Sequence, residues 1–86
     1  MQVSELKDLS RKETPLHYIR EFHATATLEG GTGRRDVPLA FTIEKKPVGL
    51  PEISVRFLEE PDWPLLPLIR SLKEMIMDLD RKGDLP

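Results

Sequence analysis

His17 and His23 are the two side chains of this chain that ordinarily titrate near neutrality, so general acid–base chemistry has to be asked of them first. They lie six residues apart. On one continuous strand that spacing puts both on the same face but ~20 Å from each other, too far to share a metal ion or a proton. No nucleophile–base pair, HExxH motif or clustered aspartate set accompanies them. The chain has no cysteine, which excludes disulfides, thiolate metal sites and cysteine nucleophiles. A domain this small also leaves little volume for a ligand pocket of ~300 Å³ or more. The expectation is a protein that is not an enzyme, with no cofactor and no metal.

Phosphate binding is the second chemistry to weigh, because "EGGTGRRDVP" (Glu29 to Pro38) holds three of the five glycines beside Arg34 and Arg35. Phosphate-cradling loops converge successive backbone N–H groups on the anion, usually at a helix N-terminus. Here a strand-like segment follows instead. The Gly-Lys-Ser/Thr ending of a Walker loop is missing, and Asp36 stands where the dinucleotide pattern needs its third glycine. The stretch therefore reads as a hairpin turn, with glycine supplying the positive φ angles. The acids Glu59, Glu60 and Asp62, returning to the same edge, are expected to offset Arg34 and Arg35, for roughly 0–1 kcal/mol per exposed pair.

The basic dipeptides Arg11-Lys12, Arg34-Arg35 and Lys45-Lys46 invite a nucleic-acid reading. Arg35 and Lys45, however, bracket one strand, and ten residues at ~3.3 Å each hold them about 33 Å apart. Single-strand binders also need aromatic rings on an open sheet face, whereas Phe22, Phe41 and Phe57 fall on the face that a helix should cover. What remains is a cluster at the sheet end opposite the hairpin, where Lys45 and Lys46 meet His17, Arg11 and Lys12. Lys45, Lys46, Arg34 and Arg35 are the candidate anion contacts.

The elements that must position these residues follow from the hydrophobic pattern. Leu65, Leu68, Ile69, Leu72, Met75, Ile76 and Leu79 form the stripe of an amphipathic helix over about 66–81, with regular helix starting near Pro67 and ending at Gly83. Val37, Leu39, Phe41 and Ile43 alternate with polar or small residues, as do Ile53, Val55 and Phe57, and Phe22, Ala24, Ala26 and Leu28. These give strands over about 17–29, 37–45 and 52–59. The stretch around Thr14 and Pro15 has a second reading, as a turn of helix capped by Thr14. Short connections favour antiparallel neighbours, so the predicted fold is α+β: a three-stranded antiparallel β-meander with one C-terminal helix on one face. Pro38 fits the second strand only if pairing begins after it or if that strand lies at an edge. Residues 1–13 read as a polar N-terminal segment with freedom to be mobile, ahead of a single domain over 14–86.

Composition narrows the function further. A chain of 86 residues has room for one domain, and its net charge of −2 with 33% charged residues is that of an ordinary soluble surface. Up to Pro47 it carries eight Lys/Arg against seven Asp/Glu, and beyond it five against eight, so neither part is a basic arm. The polar opening "MQVSELKDLSRK" is unlike a signal peptide and no apolar run approaches ~20 residues, so a cytoplasmic location with no membrane partner is expected. The expected function is a non-enzymatic protein–protein interaction or adaptor domain that self-associates through a strand edge or its Thr/Ala face. The candidate contacts are Trp63, His23, Thr25, Thr42 and Leu58. The alternative is a small nucleic-acid binder using the basic residues at the sheet ends.

Overall fold

The computed structural model of the chain describes residues 2–31, 33–59, 61 and 64–86. Four strands, β1 (Gln2–Lys12), β2 (Ile19–Gly30), β3 (Gly33–Glu44) and β4 (Glu52–Phe57), precede one helix, α1 (Leu65–Lys82). The strands pair antiparallel in chain order, β1-β2-β3-β4. The α+β class and the C-terminal helix are as the periodicity predicts, but the sheet has four strands rather than three.

The extra strand is β1, and its pattern explains why alternation does not reveal it. Val3, Leu6 and Leu9 pack against the core at steps of three, a spacing that belongs neither to a strand nor to a helix face. The pairing with β2 slips by one residue between Val3 and Glu5 and again between Lys7 and Ser10. Each β-bulge adds one residue to the two-residue repeat, so inward positions recur every third residue. Asp8, inside the second slip, has φ 54°, a left-handed backbone that aspartate tolerates better than most side chains.

Pro38 lies inside the sheet, opposite Thr25 of β2. Its carbonyl accepts the Leu58 N–H at 3.0 Å. The N–H and C=O of a strand residue point toward the same neighbour, so the missing proline N–H faces the β4 side. There the paired register begins at Leu39 opposite Phe57, one residue beyond Pro38. The first of the two conditions for Pro38 is thus met on the β4 side.

Leu65 opens α1 slightly ahead of the expected start. Pro64 is its N-cap, so Pro67 falls third in the helix, among the first four residues whose N–H groups have no helical partner in any case. At the other end Gly83 is left-handed (φ 72°). Its N–H reaches the Asp80 carbonyl at 3.1 Å and the Asp84 N–H reaches Leu79 at 3.0 Å, closing the last turn as a Schellman motif. Among the described residues no helix is long and apolar enough to cross a membrane.

One face of the sheet and one side of α1 make the core. Leu68, Leu72 and Ile76 bury against Phe22, Ala24, Ala26 and Leu28 of β2 and Val37, Leu39, Phe41 and Ile43 of β3. Each large side chain so buried contributes about 1.5–3 kcal/mol of transfer free energy. Phe22 and Phe41, opposite each other in register, stack with ring centroids 5.0 Å apart and planes 20° from parallel. The helix backbone comes closest to the two edge strands, β1 and β4. Arg20, on the core side at the start of β2, grips Asp80 near the helix end through two hydrogen bonds of 2.9 and 3.1 Å.

Candidate functional site

Three regions hold the candidate residues. The first is the sheet face turned away from α1. His23, Thr25 and Thr42 do share it: His23 stands opposite Ala40 and Ser10, Thr25 opposite Pro38 and Lys7, and Thr42 opposite Glu21 and Ser54. This face is less bare than its small residues imply. Lys7 reaches from β1 over β2 to Asp36 on β3, Nζ to Oδ2 at 2.9 Å, and the buried Thr27 hydroxyl donates to Asp36 Oδ1 at 2.8 Å. The lysine ammonium and then the threonine hydroxyl hold the Asp36 carboxyl below its ordinary range, and Asp36 in turn raises Lys7. The charged ends of these side chains strap together the centre of three strands.

The second region is the hairpin between β2 and β3. Gly30 pairs with Gly33 across it. Arg34 Nε lies 4.0 Å from Glu29 Oε1, a contact within the hairpin itself. Arg35 sits opposite Leu28 on the core side of the sheet and is not without a partner. Leu58 is 46% exposed just after β4. Trp63 lies outside the described residues, as do Glu60 and Asp62, two of the three acids expected to offset the arginines.

The third region is the opposite end of the sheet. Glu44 and Glu52 stand directly across from each other at the ends of β3 and β4, a repulsive placement. Lys46 Nζ bridges them at 2.7 Å and 3.1 Å, and the two carboxylates, Glu44 foremost, raise its pKa. Lys45 is fixed by its backbone, its N–H donating to the Tyr18 carbonyl at 2.7 Å, while its side chain makes no ion pair among the described residues. Residues 13–18 form a turn rather than strand: the Thr14 hydroxyl accepts the Leu16 N–H at 3.3 Å and the Leu16 carbonyl accepts the Ile19 N–H at 3.3 Å. The turn brings His17 and Tyr18 beside Arg11 at one end of the sheet.

These residues enclose a concavity of about 450 Å³ lined by Arg11, His17, Tyr18, Arg20, Lys45 and Lys46. Ile43, Gly49 and Pro51 complete its wall, and no carboxylate among the described residues lines it. A second concavity of about 520 Å³ shares Arg11 and His17 with it. The expectation of little pocket volume is therefore corrected: the space lies between turns at the sheet end, not inside the core, which is why core size does not limit it. The candidate anion contacts are not one group, since Lys45 and Lys46 meet here while Arg34 and Arg35 stand at the far end of β3.

Sequence reasoning does not single out Tyr18, Val48 and Leu50. Val48 is 88% exposed and Leu50 77%, in a loop that turns at Gly49 (φ 88°), with Leu16 and Tyr18 also exposed at the same end. The available signal is that Val48 and Leu50, in "KKPVGLP", belong to no apolar stripe. The model of the BB_0187 family matches residues 1–81. No curated protein and no solved structure matches the chain.

Proposed function

We propose that this chain, which belongs to that family, is a small non-enzymatic protein-interaction domain that meets its partner through the sheet end built by residues 11–18 and 45–51. The carrying observation is the exposure of Val48 and Leu50 beside Leu16 and Tyr18, four large apolar side chains gathered at one end around a concavity. Apolar side chains grouped in this way on a small domain mark an interaction surface. Self-association belongs to the same reading, and the strand edges favour it least: β1 is bulged twice and β4 has six residues, both devices that discourage edge-to-edge pairing. The ion pairs that hold Lys46 and the contact of Arg34 with Glu29 leave fewer cations for a nucleic-acid backbone than the sequence offers.

The test is a photo-crosslinking side chain placed at Val48, at Leu50 and, as a control, at Glu74 on the exposed side of α1. Discrete protein adducts from positions 48 and 50 but not from 74, including a dimer adduct if the partner is a second copy, are the expected result. Adducts equal at all three positions, or none at 48 and 50, would refute the proposal.

A further inference from the structure

We infer that the concavity at this sheet end recognises an acidic peptide segment in which carboxylates alternate with leucine or aromatic side chains. This rests on the interaction surface proposed above and names the chemistry of its partner. Four cationic side chains and His17 line the concavity and, among the described residues, no carboxylate does. Two of the four are already committed, Arg20 to Asp80 and Lys46 to Glu44 and Glu52. Arg11 and Lys45 are exposed and make no ion pair among the described residues, so they are the charges available to a ligand. Guanidinium and ammonium donors of this kind form short charge-assisted hydrogen bonds with carboxylates.

The surroundings select a peptide over a nucleic acid. The side chains standing around the charges are aliphatic, Val48, Leu50 and Leu16, with Tyr18 the one exposed ring among them. A single ring offers no run of stacking partners for successive bases. Aliphatic tips beside cations instead match a segment that carries apolar and acidic side chains by turns. Lys46, locked between Glu44 and Glu52, and Arg20, locked to Asp80, form a fixed wall rather than a mobile fringe. A preformed wall lowers the ordering cost of binding.

The experiment is an amide chemical-shift titration of the whole chain with a peptide of about ten residues alternating glutamate with leucine and phenylalanine, a length that spans one sheet end. Three comparisons accompany it: a lysine-for-glutamate peptide, a serine-for-apolar peptide, and a short single-stranded oligonucleotide. The expected result is shifts confined to residues 11–18 and 45–51, with each control peptide at least tenfold weaker. Arg11→Ser/Lys45→Ser and Val48→Ser/Leu50→Ser should each weaken the acidic peptide by a similar factor. All four positions are exposed, so the variants keep the wild-type unfolding midpoint. Equal binding of the lysine peptide, shifts elsewhere, no binding of the acidic peptide, or tighter binding of the oligonucleotide at the same residues would each overturn the inference. If cross-links at 48 and 50 persist while the acidic peptide fails to bind, the interaction surface stands and its acidic preference falls.

Discussion

Asp80→Asn separates the stability of the fold from the chemistry of the concavity in one substitution. Arg20 and Asp80 are joined by two parallel hydrogen bonds, with side chains 36% and 23% exposed. Asparagine keeps the shape and one acceptor but removes the charge and the second bond. A fully exposed pair contributes ~0.2–1 kcal/mol and hydrogen bonds to charged groups ~1.5–3, so this partly screened pair should cost about 1 kcal/mol when broken. For a domain of this size that lowers the thermal midpoint by roughly 4–8 °C. The same substitution frees the charge of Arg20, which lines the concavity. A unit charge about 6 Å from a bound carboxylate in water-like surroundings gains ~0.7 kcal/mol, or about threefold in Kd. The assay pairs urea unfolding with titration of the acidic peptide at low salt. A less stable protein that binds more tightly is the expected result. Unchanged stability would refute the account of the ion pair, and lower stability with unchanged or weaker peptide binding would refute the account of the cavity.

Three other outcomes are open to measurement. A double-mutant cycle on Phe22→Leu and Phe41→Leu, read by urea unfolding, should show about 0.5–1.5 kcal/mol of coupling from their stacked rings; simple additivity would mean that the stack contributes nothing beyond burial. Asp8→Val should destabilise by about 1–2 kcal/mol because a β-branched residue resists the left-handed backbone, whereas Asp8→Gly should be near neutral, and equal midpoints for the two would contradict the second bulge. Asp36 has its carboxyl lowered by Lys7, so the pair's stabilisation is present above the ordinary carboxylate range and is lost as pH falls through the lowered value. Lys7 is raised by Asp36, so the same stabilisation is lost at the alkaline end as pH rises through the raised lysine value. Lys7→Met should flatten the acid limb of a midpoint-against-pH curve, and an acid limb identical to wild type would count against the strap.

Periodicity carries the sequence a long way where the chain obeys it. The stripe of Leu68, Leu72 and Ile76 is the buried side of α1, and Phe22 opposite Phe41 follows from two segments alternating toward one face. It fails where an inserted residue breaks the repeat. Val3, Leu6 and Leu9 are as apolar as any strand's inward set, but two bulges space them by three, and a period of two cannot see them. The gathering of Lys45 and Lys46 with His17 and Arg11 was legible from topology alone, because β2 starts where β3 ends. The neutralisation of Lys46 was not, since it depends on Glu52 arriving opposite Glu44 in a register that one sequence does not specify. Exposed Val48 and Leu50 were invisible for a related reason: an apolar residue outside any stripe has no face to be assigned to.

The chain-order sheet has a kinetic consequence. Each ladder joins strands that are neighbours in sequence, so no pairing must wait for a distant segment to arrive. The β2–β3 hairpin, with its tight glycine turn and the longest continuous register in the sheet, is the natural nucleus, since short loops close fastest and local contacts speed folding. The exception is α1, which comes nearest to β1 and β4, the outermost strands, and so touches one partner across almost the whole length of the chain. Docking the helix is the one step with a large loop-closure entropy, and because it fastens both margins at once, the folding barrier and the all-or-none character of unfolding converge on that single event.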